Sequence, residues 1–181
     1  MRLFLAVELP ESVRQHLAGL PRTGNPAIKH TPPQNLHVTL KFLGEVEASA
    51  VDGLTDTLRQ VTVERPAEVW AGHAVLLPPR GPVRVISAGL EGDVARVAAL
   101  HADIESACAG HGFPPERRAF LPHVTLARPR QPLPASARQP LAELLNAHLP
   151  TPVFPARGFT LFESQLGSGP PRYTPLVRFG G

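Results

Sequence analysis

HVTL at residues 37–40, inside NLHVTLKFLGEV (35–46), decides how this chain is read, because the same four letters return at 123–126 inside FLPHVTLARPR (120–130). β-Branched and aliphatic residues fill both stretches, and a breaker follows each, Gly44 or Pro129, so both predict strands. Side chains alternate across a strand. In the first copy His37, Thr39 and Lys41 share one face, while Leu36, Val38, Leu40 and Phe42 share the other, which assigns Phe42 to the core. In the second copy His123 and Thr125 lie opposite Val124 and Leu126. Strict alternation turns Arg128 away from His123. Its use in a site requires a bulge, an early strand end or a reach around the rim, and Pro129 favours termination.

Working outward, RLFLAVEL (2–9) alternates as a strand. Val13, Leu17 and Leu20 follow at helical spacing. Val51, Leu54, Leu58 and Val61 predict a helix over 49–62, and VWAGHAVL (69–76) and VRVISAGL (83–90) are two strands joined across LPPRGP. Asp93 then caps a helix with Val94, Val97, His101, Ile104 and Cys108 on one stripe. After the second HVTL strand, PRQPLPASARQP (129–140) reads as an exposed loop, and Pro140 opens a short helix carrying Leu141, Leu144 and Leu145. VFPARGFTLF (153–162) and YTPLVRF (173–179) close as strands. Helix, HVTL strand, helix, strand, strand thus occurs twice, over about 11–90 and 93–179. The expectation is an α+β, bilobal, duplicated fold over 1–181: two antiparallel sheets with flanking helices around a central cleft, with strand 2–9 an addition that joins one sheet. Each lobe alone is too small for a comfortable core, so the two form a single domain.

The chain has 181 residues, 43% hydrophobic and 18% charged, a globular balance. A net charge of +3 and a pI near 9.7 permit an anionic partner without demanding nucleic acid. Cys108 is the one cysteine, which excludes an intramolecular disulfide and fits a reducing compartment. Glu8 and Pro10 interrupt the apolar run at the start, so it is no signal peptide, and no stretch approaches the roughly 20 apolar residues of a membrane helix. The expected setting is cytoplasmic, with no membrane or protein partner and a monomeric state.

A pseudo-two-fold axis between the copies brings two imidazoles and two hydroxyls to one cleft. Imidazole titrates near neutrality, so one ring can accept a proton while the other donates one, and the threonines can hydrogen-bond the non-bridging oxygens between them. In-line displacement at phosphorus needs those parts, without metal or cofactor. A lone strand histidine is more often structural, and threonine is common in strands; it is the repetition of the pair that raises the chemical reading. Paired histidines also suggest zinc, but neither HVTL holds a carboxylate or cysteine. A phosphate-binding module without turnover is a rival reading. Phe120, Phe162 and Tyr173 are candidate aromatic platforms, Tyr173 foremost because its hydroxyl wants a partner. Lys41 contributes cleft-edge charge, His101 packs into its stripe, and the remaining histidines are surface or loop residues.

HVTLKFLGE followed by FLPHVTLAR resembles the two-histidine phosphoesterase superfamily, marked by H-x-[ST]-x twice, and most closely its bacterial RNA 2′,3′-cyclic phosphodiesterase, LigT-like group. The likeness extends to RLFLAVELP (2–10), PPQNLHVTLKFLGEV (32–46) and TLFESQLGSGPPRYTPL (160–176). It implies hydrolysis of a terminal 2′,3′-cyclic phosphate on RNA, or of a nucleoside 2′,3′-cyclic phosphate, to a 2′-phosphomonoester. His37 would be the proton donor and His123 the proton acceptor, with Thr39, Thr125 and Arg128 on the phosphate. The aromatic candidates would then stack on the terminal base. The pseudo-symmetry of the residues themselves leaves the two histidine roles interchangeable, and the same acid–base pair serves equally the rival reading, the joining of RNA ends.

Overall fold

The computed structural model describes residues 1–180. The chain runs β1 (Arg2–Glu8), α1 (Glu11–Ala18), β2 (Ile28–His30), β3 (His37–Glu45), α2 (Ala48–Leu58), β4 (Ala67–Leu77), β5 (Val85–Gly92), α3 (Val94–Ala109), β6 (His123–Pro129), α4 (Arg138–Asn146), β7 (Phe154–Ala156), β8 (Gly158–Gln165) and β9 (Arg172–Gly180). One core joins them. Leu3, Leu5, Val7, Val38, Leu40, Val124 and Leu126 are buried on the strands, with Val13 and Leu17 of α1, Leu54 and Leu58 of α2, Val97 and Ile104 of α3, and Leu141 and Leu145 of α4. Among the described residues no helix is long and apolar enough to cross a membrane.

The α+β, bilobal expectation holds, with one change. The two expected sheets are one antiparallel sheet, in the order β7-β4-β5-β6-β3-β1-β8-β9, with β2 paired to β6 beside that path. β3 and β6 share a single ladder pair, Val38 opposite Val124. Past it the strands part, and β6 takes β2 as neighbour, Lys29 opposite Arg128. A half of four strands (β3, β1, β8, β9) and one of five (β7, β4, β5, β6 and β2) therefore meet along a seam one pair long.

These halves are not the halves of the chain. β4 and β5 lie beside β6, and β8 and β9 lie beyond β1 and β3, so a division at 11–90 and 93–179 does not separate them. β1 joins the sheet between β3 and β8, as expected of strand 2–9. It flanks β3 as β5 flanks β6, each is followed by a helix, and each ladder shifts register by one residue at the matching place. Leu5 faces Lys41 and Ala6 faces Thr39, leaving Leu40 extra; Ile86 faces Ala127 and Ser87 faces Thr125, leaving Leu126 extra.

Those two bulges overturn strict alternation. Leu40 and Lys41 are buried in succession, as are Leu126 and Ala127, so Phe42 and Arg128 change face; on β3 a further shift follows, with Leu3 facing Gly44 and Phe4 facing Phe42, leaving Leu43 extra. The strand expected over 153–162 also divides. β7 joins one end of the sheet and β8 the other half, with only Arg157 between them. Successive Cα atoms are about 3.8 Å apart, so the sheet must curl until its two ends nearly meet. The helix expected over 49–62 stops at Leu58, ahead of the β-branched run Val61-Thr62-Val63. The loop at 129–140 is tied down by a bridge between Leu133 and Val83, and the Arg138 guanidinium donates to the carbonyls of Leu76, Pro78 and Gly81.

Candidate active site

Where β3 and β6 part, a cleft of about 520 Å³ opens, bounded by His37, Thr39, Thr125 and Arg128 among others. His123 stands on the same strand face as Thr125 but does not itself bound that cavity. The two motif strands hold their imidazoles by the same device. His37 Nδ1 lies 2.7 Å from the carbonyl oxygen of Asn35, and His123 Nδ1 lies 2.6 Å from that of Leu121, in each case two residues upstream. A carbonyl only accepts, so Nδ1 carries the hydrogen in both rings and Nε2 is left for chemistry. In His37 that nitrogen accepts from the Thr39 hydroxyl at 3.0 Å.

His37 sits among aromatic rings. Its centroid is 5.0 Å from Phe4 and 5.4 Å from Tyr173, the latter edge-on at 84°. Phe162 stacks on Phe4 at 5.2 Å and 14°. Burial lowers the proton affinity of His37; the Asn35 carbonyl raises it in part, and charge on His123 lowers it further. The two rings are thus within electrostatic reach of each other. Tyr173 bounds the cleft half-buried, and burial raises its pKa against the lowering effect of Arg128 and Arg2.

Arg128 reaches the cleft because of the bulge at Leu126–Ala127; β6 continues through Pro129 rather than stopping before it. Phe42 occupies the matching place after the bulge on β3, is 62% exposed and bounds the cleft, so its assignment to the core is corrected. Lys41 is corrected too. It is 3% exposed and points away from the cleft, with Nζ 2.9 and 3.0 Å from the Glu105 carboxylate on α3 and 3.0 Å from the Pro114 carbonyl. Phe120 stacks on His101 at 4.0 Å and does not bound the cleft.

Several residues carried no signal in the sequence. Phe4 forms the floor under His37, a role visible only once β1 is placed between β3 and β8. Asn35 orients His37 through its backbone, which leaves no mark on residue type, and its buried side chain donates to the Pro171 carbonyl at 2.7 Å, tying the β8–β9 loop over the cleft. Lys29 enters through β2, a strand of three residues.

The sequence pattern of the 2′-5′ RNA ligase superfamily matches residues 8–167, from Glu8 on β1 into the β8–β9 loop, and spans both motif strands. The chain belongs to this superfamily. Within the 2′-5′ RNA ligase superfamily it is 33% identical to an RNA 2′,3′-cyclic phosphodiesterase of Thermus thermophilus, over 99% of this chain and 89% of that protein. Against the RNA 2′,3′-cyclic phosphodiesterase of Escherichia coli it is 30% identical, over 98% and 95%. Among solved structures of similar fold, one from Thermus thermophilus superposes with a TM-score of 0.77 at 30% identity, over 99% of this chain and 97% of that one. E. coli LigT complexed with 3′-AMP superposes at 0.76 and 26%, with the same coverage.

Proposed function

We propose that this protein hydrolyses the 2′,3′-cyclic phosphate at RNA 3′ ends to a 2′-phosphomonoester, using His37 and His123 as proton donor and acceptor. The observation that carries this is the repeated device: two strands that part at one pair, each presenting a ring whose Nδ1 is tied to a carbonyl two residues upstream and a threonine two residues on. His123 takes a proton from water as the water oxygen attacks phosphorus. The P–O3′ bond breaks, and His37 Nε2–H delivers its proton to O3′, leaving a free 3′-hydroxyl. Thr39, Thr125 and Arg128 hold the non-bridging oxygens, where negative charge grows.

The environment of His37 suits the donor's task. Burial makes its imidazolium a stronger acid, and the bound cyclic phosphate, an anion, restores the charge balance that keeps it protonated. Opening a strained ring in water is downhill, which favours hydrolysis over end-joining. Every residue given a role here belongs to a single copy of the chain, so the proposed reaction calls for no second copy. A reducing, cytoplasmic setting fits the free Cys108 thiol, which burial pushes up to about 11.

Incubation with a nucleoside 2′,3′-cyclic monophosphate, followed by phosphorus NMR, tests the reading. The expected product is the 2′-monophosphate, formed equally in EDTA. Binding without ring opening would assign the cleft to a binding module instead.

A further inference from the structure

β2 is three residues long, yet it is pinned at both ends. The Thr31 N–H donates to the Leu126 carbonyl at 2.8 Å, and the Arg130 N–H donates to the Ala27 carbonyl at 2.8 Å. This seats Lys29 directly across the ladder from Arg128, and cross-strand partners share a face. Both side chains bound the cleft, and none of the residues bounding it is acidic. Among the described residues neither cation has a carboxylate within 4.0 Å.

Two cations without a carboxylate partner thus sit beside the histidine pair. A 2′,3′-cyclic phosphate brings only one negative charge, so the cleft holds more positive charge than that group can balance. With Arg128 on the oxygens of the cyclic phosphate, the cation left over is Lys29, one strand away on β2, about 5 Å across the ladder, where its long side chain can meet the next phosphate of an RNA strand. The cleft's 520 Å³ is within the range of sites that enclose a whole small ligand, beyond what one phosphoryl group fills.

We infer that Lys29, side by side with Arg128, forms a second phosphate subsite that takes the phosphate on the 5′ side of the terminal nucleotide. The inference rests on the cyclic phosphodiesterase reading and narrows its substrate class: an RNA end, or a 5′-phosphorylated nucleoside 2′,3′-cyclic phosphate, is preferred to the nucleoside cyclic phosphate alone. Lys29 is exposed and has no hydrogen-bonded role in the fold, so its replacement tests binding rather than folding.

The test compares adenosine 2′,3′-cyclic phosphate with its 5′-phosphorylated form as substrates of the wild type, Lys29→Met and Lys29→Arg. The wild type is expected to favour the 5′-phosphorylated form by about tenfold or more in kcat/KM, expressed in KM. Lys29→Met should bring that ratio to within about twofold of one, and Lys29→Arg should keep most of it. The slope of log kcat/KM against log salt should flatten by about 0.7 in Lys29→Met with the 5′-phosphorylated substrate, the loss of one phosphate contact. A wild type indifferent to the 5′-phosphate, or a Lys29→Met variant that keeps the wild-type ratio, overturns the inference. Calorimetry with adenosine 2′-monophosphate and 2′,5′-bisphosphate measures the subsite without turnover. The bisphosphate should bind at least about tenfold tighter, or 1.4 kcal/mol, and lose that margin in Lys29→Met. If neither cyclic phosphate is opened but the bisphosphate margin depends on Lys29, the subsite stands and the hydrolase reading falls.

Discussion

His37 is held over Phe4 and beside Tyr173, and that burial has a cost in acid. The ring's folded-state pKa lies below its ordinary 6.5. Above about 6.5 the ring is neutral in folded and unfolded chains alike; as pH falls below that value the unfolded chain takes up a proton the native ring resists, and stability is lost. His30 and His101 are shifted in the same direction, also mainly by burial, and add to the effect. Urea unfolding should therefore give a lower midpoint at pH 5.5 than at pH 7.5, and His37→Asn should narrow the difference; an unchanged difference would remove His37 from this account. At the same scale, Thr39→Val should lower kcat/KM by about ten- to hundredfold, the loss of one hydrogen bond to a charged group, with the melting temperature little changed. Both histidines and both threonines were legible in the sequence because the motif repeats. Phe4 and Asn35 were not: one acts through the placement of its strand, the other through a backbone carbonyl.

The strand is the scale at which alternation failed. A bulge after each HVTL leaves two buried residues in succession and sends the next side chain to the cleft. The extra space is filled by Leu40 and Lys41 in one copy and by Leu126 and Ala127 in the other, with no glycine or proline to mark it. A lysine in a strand reads as solvent-facing, and its partner Glu105 belongs to α3, so nothing local announces the pair. Glu105 also accepts from the Glu116 N–H at 3.1 Å, which leaves this carboxylate well satisfied. Lys41→Met removes the cation from a buried carboxylate and should destabilise the protein by about 3–5 kcal/mol, read from denaturant unfolding. Any kcat/KM deficit should vanish at temperatures where the variant is fully folded. A variant of wild-type stability but lost substrate affinity would return Lys41 to the cleft.

Across the whole molecule, element order was legible but element placement was not. Periodicity finds strands; it does not say that β5 pairs beside β6, or that β7 and β8, one residue apart in sequence, belong to different halves of the sheet. β1 stands to β3 as β5 stands to β6, with a register shift at the matching place in each ladder, an equivalence that the hydrophobic pattern did not show. β8 and β9 approach closely at Gly158, where a Cβ would lie 2.0 Å from the Phe179 carbonyl oxygen. Gly158→Ala should force β8 and β9 apart and cost about 1–3 kcal/mol, measured by thermal unfolding; a neutral substitution would mean that the approach is not needed.

The division of labour between the two rings is tested most directly by the pH dependence of kcat/KM for a cyclic-phosphate-ended oligonucleotide, measured for the wild type, His37→Ala and His123→Ala. The wild type should give a bell. Each variant should lose about 10²–10⁴-fold at the optimum with its circular dichroism unchanged, His37→Ala losing the alkaline limb and His123→Ala the acid limb. Limbs lost in the opposite order would exchange the two roles, and a folded variant that keeps the full bell at the wild-type rate would contradict paired-imidazole catalysis altogether.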